Sequence, residues 1–237
     1  MRNRTAQIRH FLNAHTDAIS LVLLLVLLII CNLAFVPTAG WTRLAWNLFG
    51  YIGLFGIYKF AKLSLSDIGL SAKNFRTGMK LALYVIAIIA AGFLVIFFVN
   101  GHAFKDPRYH HSIPVALYAS FVILPLKTVL FEELAFRGIA LSLLFRVKSS
   151  RWFATIFSSV AFGAWHVTTS VDIGNYNIGG NIIVPKALVA VAATIAPALF
   201  GIVLCELRWR SKSLVAPIAV HWFLNAFATL LAAFSWR

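Results

Sequence analysis

Acidic residues are scarce in this 237-residue chain: seven Asp and Glu stand against 21 Lys and Arg, and charged residues of every kind make up only 12%. With 61% hydrophobic residues, 21 Phe and 7 Trp, too little polar surface remains to cover a water-soluble fold. Cysteine is nearly absent. Cys31 and Cys205 lie in or beside apolar runs, which argues against a disulfide framework or a cysteine metal site and leaves them as reduced packing residues. There is no G-x-S-x-G elbow or suitably placed cysteine to act as nucleophile, and no H-E-x-x-H zinc helix. No internal repeat or low-complexity tract divides the chain, so a single domain over residues 1–237 is expected. A formal charge of +14 would suggest nucleic acid in a soluble protein. Here the cations sit in alternate loops, and the expected partner is a lipid bilayer, with no nucleic acid.

The chain instead carries long apolar runs, several close to or beyond the roughly 20 residues that a helix needs to cross a bilayer. Hydropathy predicts helices near 18–36, 44–62, 80–99, 113–145, 152–170, 186–206 and 213–235. The fold class is therefore all-α: a polytopic transmembrane helix bundle of about seven helices, eight if 113–145 is two. Arg2, Arg4 and Arg9 precede the first run, and Lys59 to Lys80, Arg146 to Arg151 and Arg208 to Lys212 supply every second loop. The intervening loops hold one or two cations each. The positive-inside rule then places the N-terminus in the cytoplasm and the C-terminus outside. Residues 36–40 faintly resemble a signal-peptide cleavage region, but the first run is long and more spans follow, so a retained first helix is expected. Segment 113–145 would be roughly 50 Å long as a straight helix. It must tilt, break near Pro125 or Gly138, or project into the cytoplasm. One net crossing keeps the basic loop 146–151 inside. The loop Thr168 to Pro185, rich in Gly and Asn, reads as an external connection.

Only three Glu exist, and Glu132 and Glu133 are adjacent inside the longest apolar segment. Ionisable groups in a span cost a few kcal/mol each unless paired or hydrated, so they line cavities or pathways. Lys127 and Arg137 share the segment. Glu133 and Arg137 are spaced i,i+4 with the acid N-terminal, a favoured ion pair, whereas Glu132 points about 100° away around the helix. The expectation is that Glu133 serves structure with Arg137 and Glu132 faces a cavity. His166 and His221 are the two histidines inside spans. Phe162 shares a face with His166, and Asn225 with His221, four residues apart in each case. Counted from the nearest cytoplasmic cations, Glu132, His166, His221 and Asn225 lie roughly 14 to 22 Å into their helices at 1.5 Å per residue. Four residues on three spans thus converge in depth.

A carboxylate in such a setting is suited to act as general base for water, with an imidazole orienting that water or relaying its proton. His221 and Asn225 can donate to the oxyanion of an attacked amide. This set suffices for peptide hydrolysis. Glu132, His166 and His221 also form a two-His-one-carboxylate set, so zinc stays an open alternative, although Asn225 suits an oxyanion better than a metal. Another class remains: the buried charges of a non-proteolytic membrane protein, used for proton-coupled transport or immunity-type binding.

Three motifs carry a resemblance. Glu132 to Arg137 reads EExxxR, Phe162 to His166 reads FxxxH, and His221 to Asn225 reads HxxxN. Together they resemble the CPBP family, the CAAX protease and bacteriocin-processing intramembrane endopeptidases, which include the type II CAAX prenyl endopeptidases. The resemblance covers about 113–230, the expected catalytic core. It implies that Glu132 and His166 activate the hydrolytic water without a metal cofactor and that His221 and Asn225 form the oxyanion hole. Glu133, Arg137 and Phe162 support them. The implied partner is a membrane-associated protein or peptide substrate.

Overall fold

The computed structural model describes residues 2–35, 40–105, 113–168 and 186–237. Most of the cleavage-like stretch, Arg108, and nearly all of the Gly- and Asn-rich connection lie outside the described residues. Among the described residues seven long helices follow one another: α1 (Arg2–Phe35), α2 (Gly40–Phe60), α3 (Phe75–Val99), α4 (Ile113–Lys148), α5 (Arg151–Trp165), α6 (Lys186–Ser211) and α7 (Val215–Phe234). Five of them contain stretches long and apolar enough to cross a membrane, the exceptions being α2 and the 15-residue α5. Within hydrocarbon every backbone polar group must be satisfied internally, and a helix achieves this along its own length. Outward faces carry large apolar side chains such as Val22, Ile52, Ile88 and Leu199, as lipid contact requires. The protein is a multi-pass membrane protein.

α5 packs most extensively against α6, and α7 against α3 and the first half of α4, while α1 and α2 pair with each other. One apolar cluster joins α1, α2, α4 and α5 around Phe131, Phe136 and Phe162. A second joins α3, α6 and α7 around Leu204 and Val220. The close α5–α6 approach depends on Gly163, where an added Cβ would sit 2.7 Å from Ala198 Cβ and 2.9 Å from the Thr194 carbonyl. Cys31 and Cys205 are buried free thiols.

The long segment is one helix. It runs unbroken to Lys148 but contains two π-helical stretches, Ala119–Val129 and Leu134–Ala140, which span the two positions where a break was expected, Pro125 and Gly138. In them the backbone bond reaches five residues back: Leu130 N–H donates to Pro125 O and Leu141 N–H to Phe136 O. Pro125 has no hydrogen for its own such partner, the Ser120 carbonyl. That carbonyl instead accepts the Trp222 indole N–H at 2.8 Å, and the Leu126 carbonyl accepts the Tyr51 hydroxyl at 2.6 Å. The α-helical turn Leu130–Glu133, which carries both glutamates, sits between the two π stretches.

α5 runs to Trp165, and His166 stands in a turn just beyond, its N–H bonded to Gly163 O at 3.0 Å; Val167 and Thr168 are helical again, and 169–170 of the expected span lie outside the described residues. The Asn32 amide of α1 donates to the Trp165 carbonyl at 2.7 Å.

Candidate active site

Glu132 and Glu133 project from α4 into the region between the two apolar clusters, both buried. Glu133 and Arg137 form the expected ion pair, Oε1 to Nη1 at 2.9 Å, with both side chains fully buried. The guanidinium carbon also lies 3.9 Å from the Phe162 ring centroid, over the negative face of the ring. The same Glu133 Oε1 contacts His221 Nδ1 at 2.8 Å. Because an ionised carboxylate only accepts, Nδ1 carries the hydrogen, and His221 Nε2 faces away from Glu133. Glu133 thus pairs with Arg137 as expected and in addition touches His221, a contact that helical spacing alone does not carry.

Glu132 uses its two oxygens differently. Oε1 accepts the Trp165 indole N–H at 2.9 Å. Oε2 is buried without a hydrogen-bond partner among the described residues. It lies 3.9 Å from His166 Nε2 and 3.9 Å from His221 Nε2. Each separation exceeds a direct hydrogen bond and is short enough for one small group to reach both atoms. His166 Nδ1 is fixed at 2.8 Å from the Phe162 carbonyl, which can only accept, so in the neutral ring Nε2 presents a lone pair.

Phe162 is the packing hub. Its ring meets His166 at 4.6 Å and 71°, His221 at 5.7 Å and 90°, and Phe136 at 5.2 Å, all edge-to-face. Glu132, Glu133, Arg137, Phe162, His166 and His221 thus form one connected cluster. Asn225 lies one turn beyond His221 on α7, half-buried, and makes no side-chain hydrogen bond among the described residues. Lys127 is half-buried and has no ion pair among the described residues, so it stands outside the cluster.

Tetrahedral zinc with bonds of 2.0–2.1 Å sets its ligand atoms about 3.3 Å apart. The 3.9 Å separations at Glu132 Oε2 lie between that value and the roughly 4.6 Å that two hydrogen bonds through one water span. No group of three or more His, Cys, Asp or Glu among the described residues is spaced to hold a metal ion.

The family model for type II CAAX prenyl endopeptidases, Rce1-like, matches residues 114–227. Over those residues, just under half of its length, the chain is similar to this CAAX protease family. The match implies protease activity and takes in every residue of the cluster together with Asn225, while α1, α2 and α3 lie outside it. Comparison with curated proteins and with solved structures returned no match.

Two site residues escaped the sequence reading. Trp165, which holds Glu132 Oε1, precedes His166 directly, but a tryptophan near a span end reads as an interfacial anchor. Asn32, a polar residue in the first apolar run, offered a weak signal of its own.

Proposed function

We propose that this chain is an intramembrane endopeptidase that hydrolyses a peptide bond of a membrane-associated protein or peptide, with Glu132 as general base and no metal. The observation that supports this reading best is the position of Glu132 Oε2, 3.9 Å from both imidazole Nε2 atoms. A water there donates one hydrogen to Glu132 and one to His166 Nε2. Glu132 removes the first proton as the water oxygen attacks the scissile carbonyl carbon, and the carbonyl π electrons move onto oxygen. The oxyanion is met by the Asn225 amide and by His221, whose Nε2 donates when the ring is protonated. Glu133 orients that ring by accepting at Nδ1. The proton held on Glu132 then passes to the leaving nitrogen as the C–N bond breaks. Phe162 and Arg137 keep both imidazoles and Glu133 in register.

The test is cleavage by purified protein in detergent, followed by mass spectrometry. Glu132→Ala and His166→Ala are each expected to lower the rate by about 10²–10⁴-fold, the range for a positioned acid or base. Full cleavage by either variant would overturn the mechanism. A stoichiometric metal whose removal abolishes cleavage would replace the metal-free account. Proton-gradient-dependent uptake with no product fragments would move the reading to transport. Comparing membrane peptides from wild-type and Glu132→Ala cells identifies the substrate. The alternation of basic loops supports a cell-membrane protein with a cytoplasmic N-terminus. A periplasmic-type reporter fused after Arg237 should be active, and an inactive one would reverse the orientation.

A further inference from the structure

Asn32 lies on α1, outside the matched region, yet its side chain reaches the end of α5 with both of its polar atoms. Nδ2 donates to the Trp165 carbonyl at 2.7 Å, and Oδ1 accepts from Thr168 Oγ1 at 2.9 Å. The Trp165 carbonyl lies in the last turn of α5, so Asn32 ties that turn to α1. The same tryptophan donates its indole N–H to Glu132 Oε1, and its ring packs on Phe131 and Phe136 of α4. His166 follows directly. A chain of hydrogen bonds therefore runs from α1 through the end of α5 to the carboxylate on α4.

We propose that Asn32 is a positioning residue of the active site, acting through Trp165 to hold Glu132 against His166 and His221. The proposal rests on the reading of Glu132 as general base. Placement matters because an error of about 1 Å in a reacting group can cost 10²-fold in rate. The amide of Asn32 fixes the backbone of Trp165 and the hydroxyl of Thr168 relative to α1, and with them the turn that carries His166. Asn32 and Trp165 also line an apolar cavity of about 260 Å³ between α1 and α5, with Leu25, Leu28, Phe136 and Ala164. A substrate contact there would alter KM. A positioning role alters kcat.

The experiment is a double-mutant cycle on the full-length purified chain, using a peptide that the wild type cleaves. Asn32→Leu keeps the size and removes both hydrogen bonds; Trp165→Phe keeps an aromatic ring and removes the indole donor. Each is expected to lower kcat about tenfold or more and to leave KM within about twofold. The double variant is expected to fall no more than about twofold below the weaker single, because both changes break the same chain. A kcat for Asn32→Leu within about twofold of wild type, a change confined to KM, or fully multiplicative losses would overturn the proposal. Should Asn32→Leu not be recovered folded, Thr168→Val carries the test: a several-fold loss of kcat at constant KM supports the proposal and an unchanged kcat defeats it. Glu132→Gln is run in parallel. If it cleaves at the wild-type rate, the general-base reading fails, whereas the coupling of Asn32 to Trp165 is read from the cycle independently.

Discussion

One carboxylate oxygen of Glu133 accepts from two partners, Arg137 and His221. Glu133→Gln keeps the shape and removes the charge, leaving the fully buried guanidinium of Arg137, whose Nε and Nη2 already have no hydrogen-bond partner among the described residues, without its counter-charge. Removing one member of a buried pair typically costs about 3–5 kcal/mol. Thermal unfolding in detergent is expected to fall sharply for Glu133→Gln. Glu132→Gln, whose Oε2 has no direct hydrogen bond to lose, should unfold near wild type while losing cleavage. Equal unfolding midpoints for the two variants would defeat this assignment. The ionisable members of the cluster were legible in the sequence because charged groups in apolar runs are costly and so conspicuous. The His221–Glu133 contact was not. It joins residues 88 positions apart, and helical spacing on α4 alone assigned Glu133 wholly to Arg137.

At the scale of the element, α4 carries both glutamates on an ordinary α-helical turn set between two π stretches. Tertiary hydrogen bonds accompany the π stretches. Proline explains one in particular: the Ser120 carbonyl loses its backbone donor at Pro125 and gains the Trp222 indole from α7. Trp222→Phe leaves that buried carbonyl unpaired, at a cost of about 1–3 kcal/mol. Cleavage should drop as well, because α7 also carries His221 and Asn225 and the bond sets α7 against α4. Unfolding and cleavage that both match wild type would mean that Pro125 alone maintains the π stretch. Hydropathy read the length of this segment correctly and located both irregular points, Pro125 and Gly138. It could not show whether the helix breaks or rewinds there, since the answer lies in donors from α2 and α7.

Across the whole molecule, hydropathy locates the seven helices, five of them long and apolar enough among the described residues to cross a membrane, whereas their mutual arrangement depends on loop contacts that no periodicity carries. The loop between α2 and α3 makes several such contacts. Its Asp67 carbonyl accepts from Ser142 of α4 at 2.8 Å and Arg208 of α6 at 2.7 Å, and its Gly69 carbonyl accepts from Leu214 N–H at the start of α7 at 2.7 Å. Gly69 has φ +79°, and an added Cβ would sit 2.4 Å from Arg208 Nε, so glycine is required there on both counts. The Asp67 carboxylate holds the loop to α4 through Arg146 Nη2 at 2.9 Å and accepts from the Ser64 N–H and hydroxyl. Burial pushes this carboxyl up, but the Ser64 hydrogen bonds and the Arg146 guanidinium outweigh burial and leave it below its ordinary value of 3.8. A carboxyl lowered on folding adds stability that is complete above its unfolded value and drains away as pH falls through the folded one. Asp67→Asn cannot show that titration. Its unfolding midpoint should lie slightly below wild type, the pair being partly exposed, by a constant margin from about pH 7 to pH 5, and the margin should close below about pH 4. A margin that persists to pH 3 would assign the effect to the shape of the loop, carried by the Asp67 and Gly69 carbonyls, and remove the ion pair from the account of how α4, α6 and α7 are held in register beneath the site.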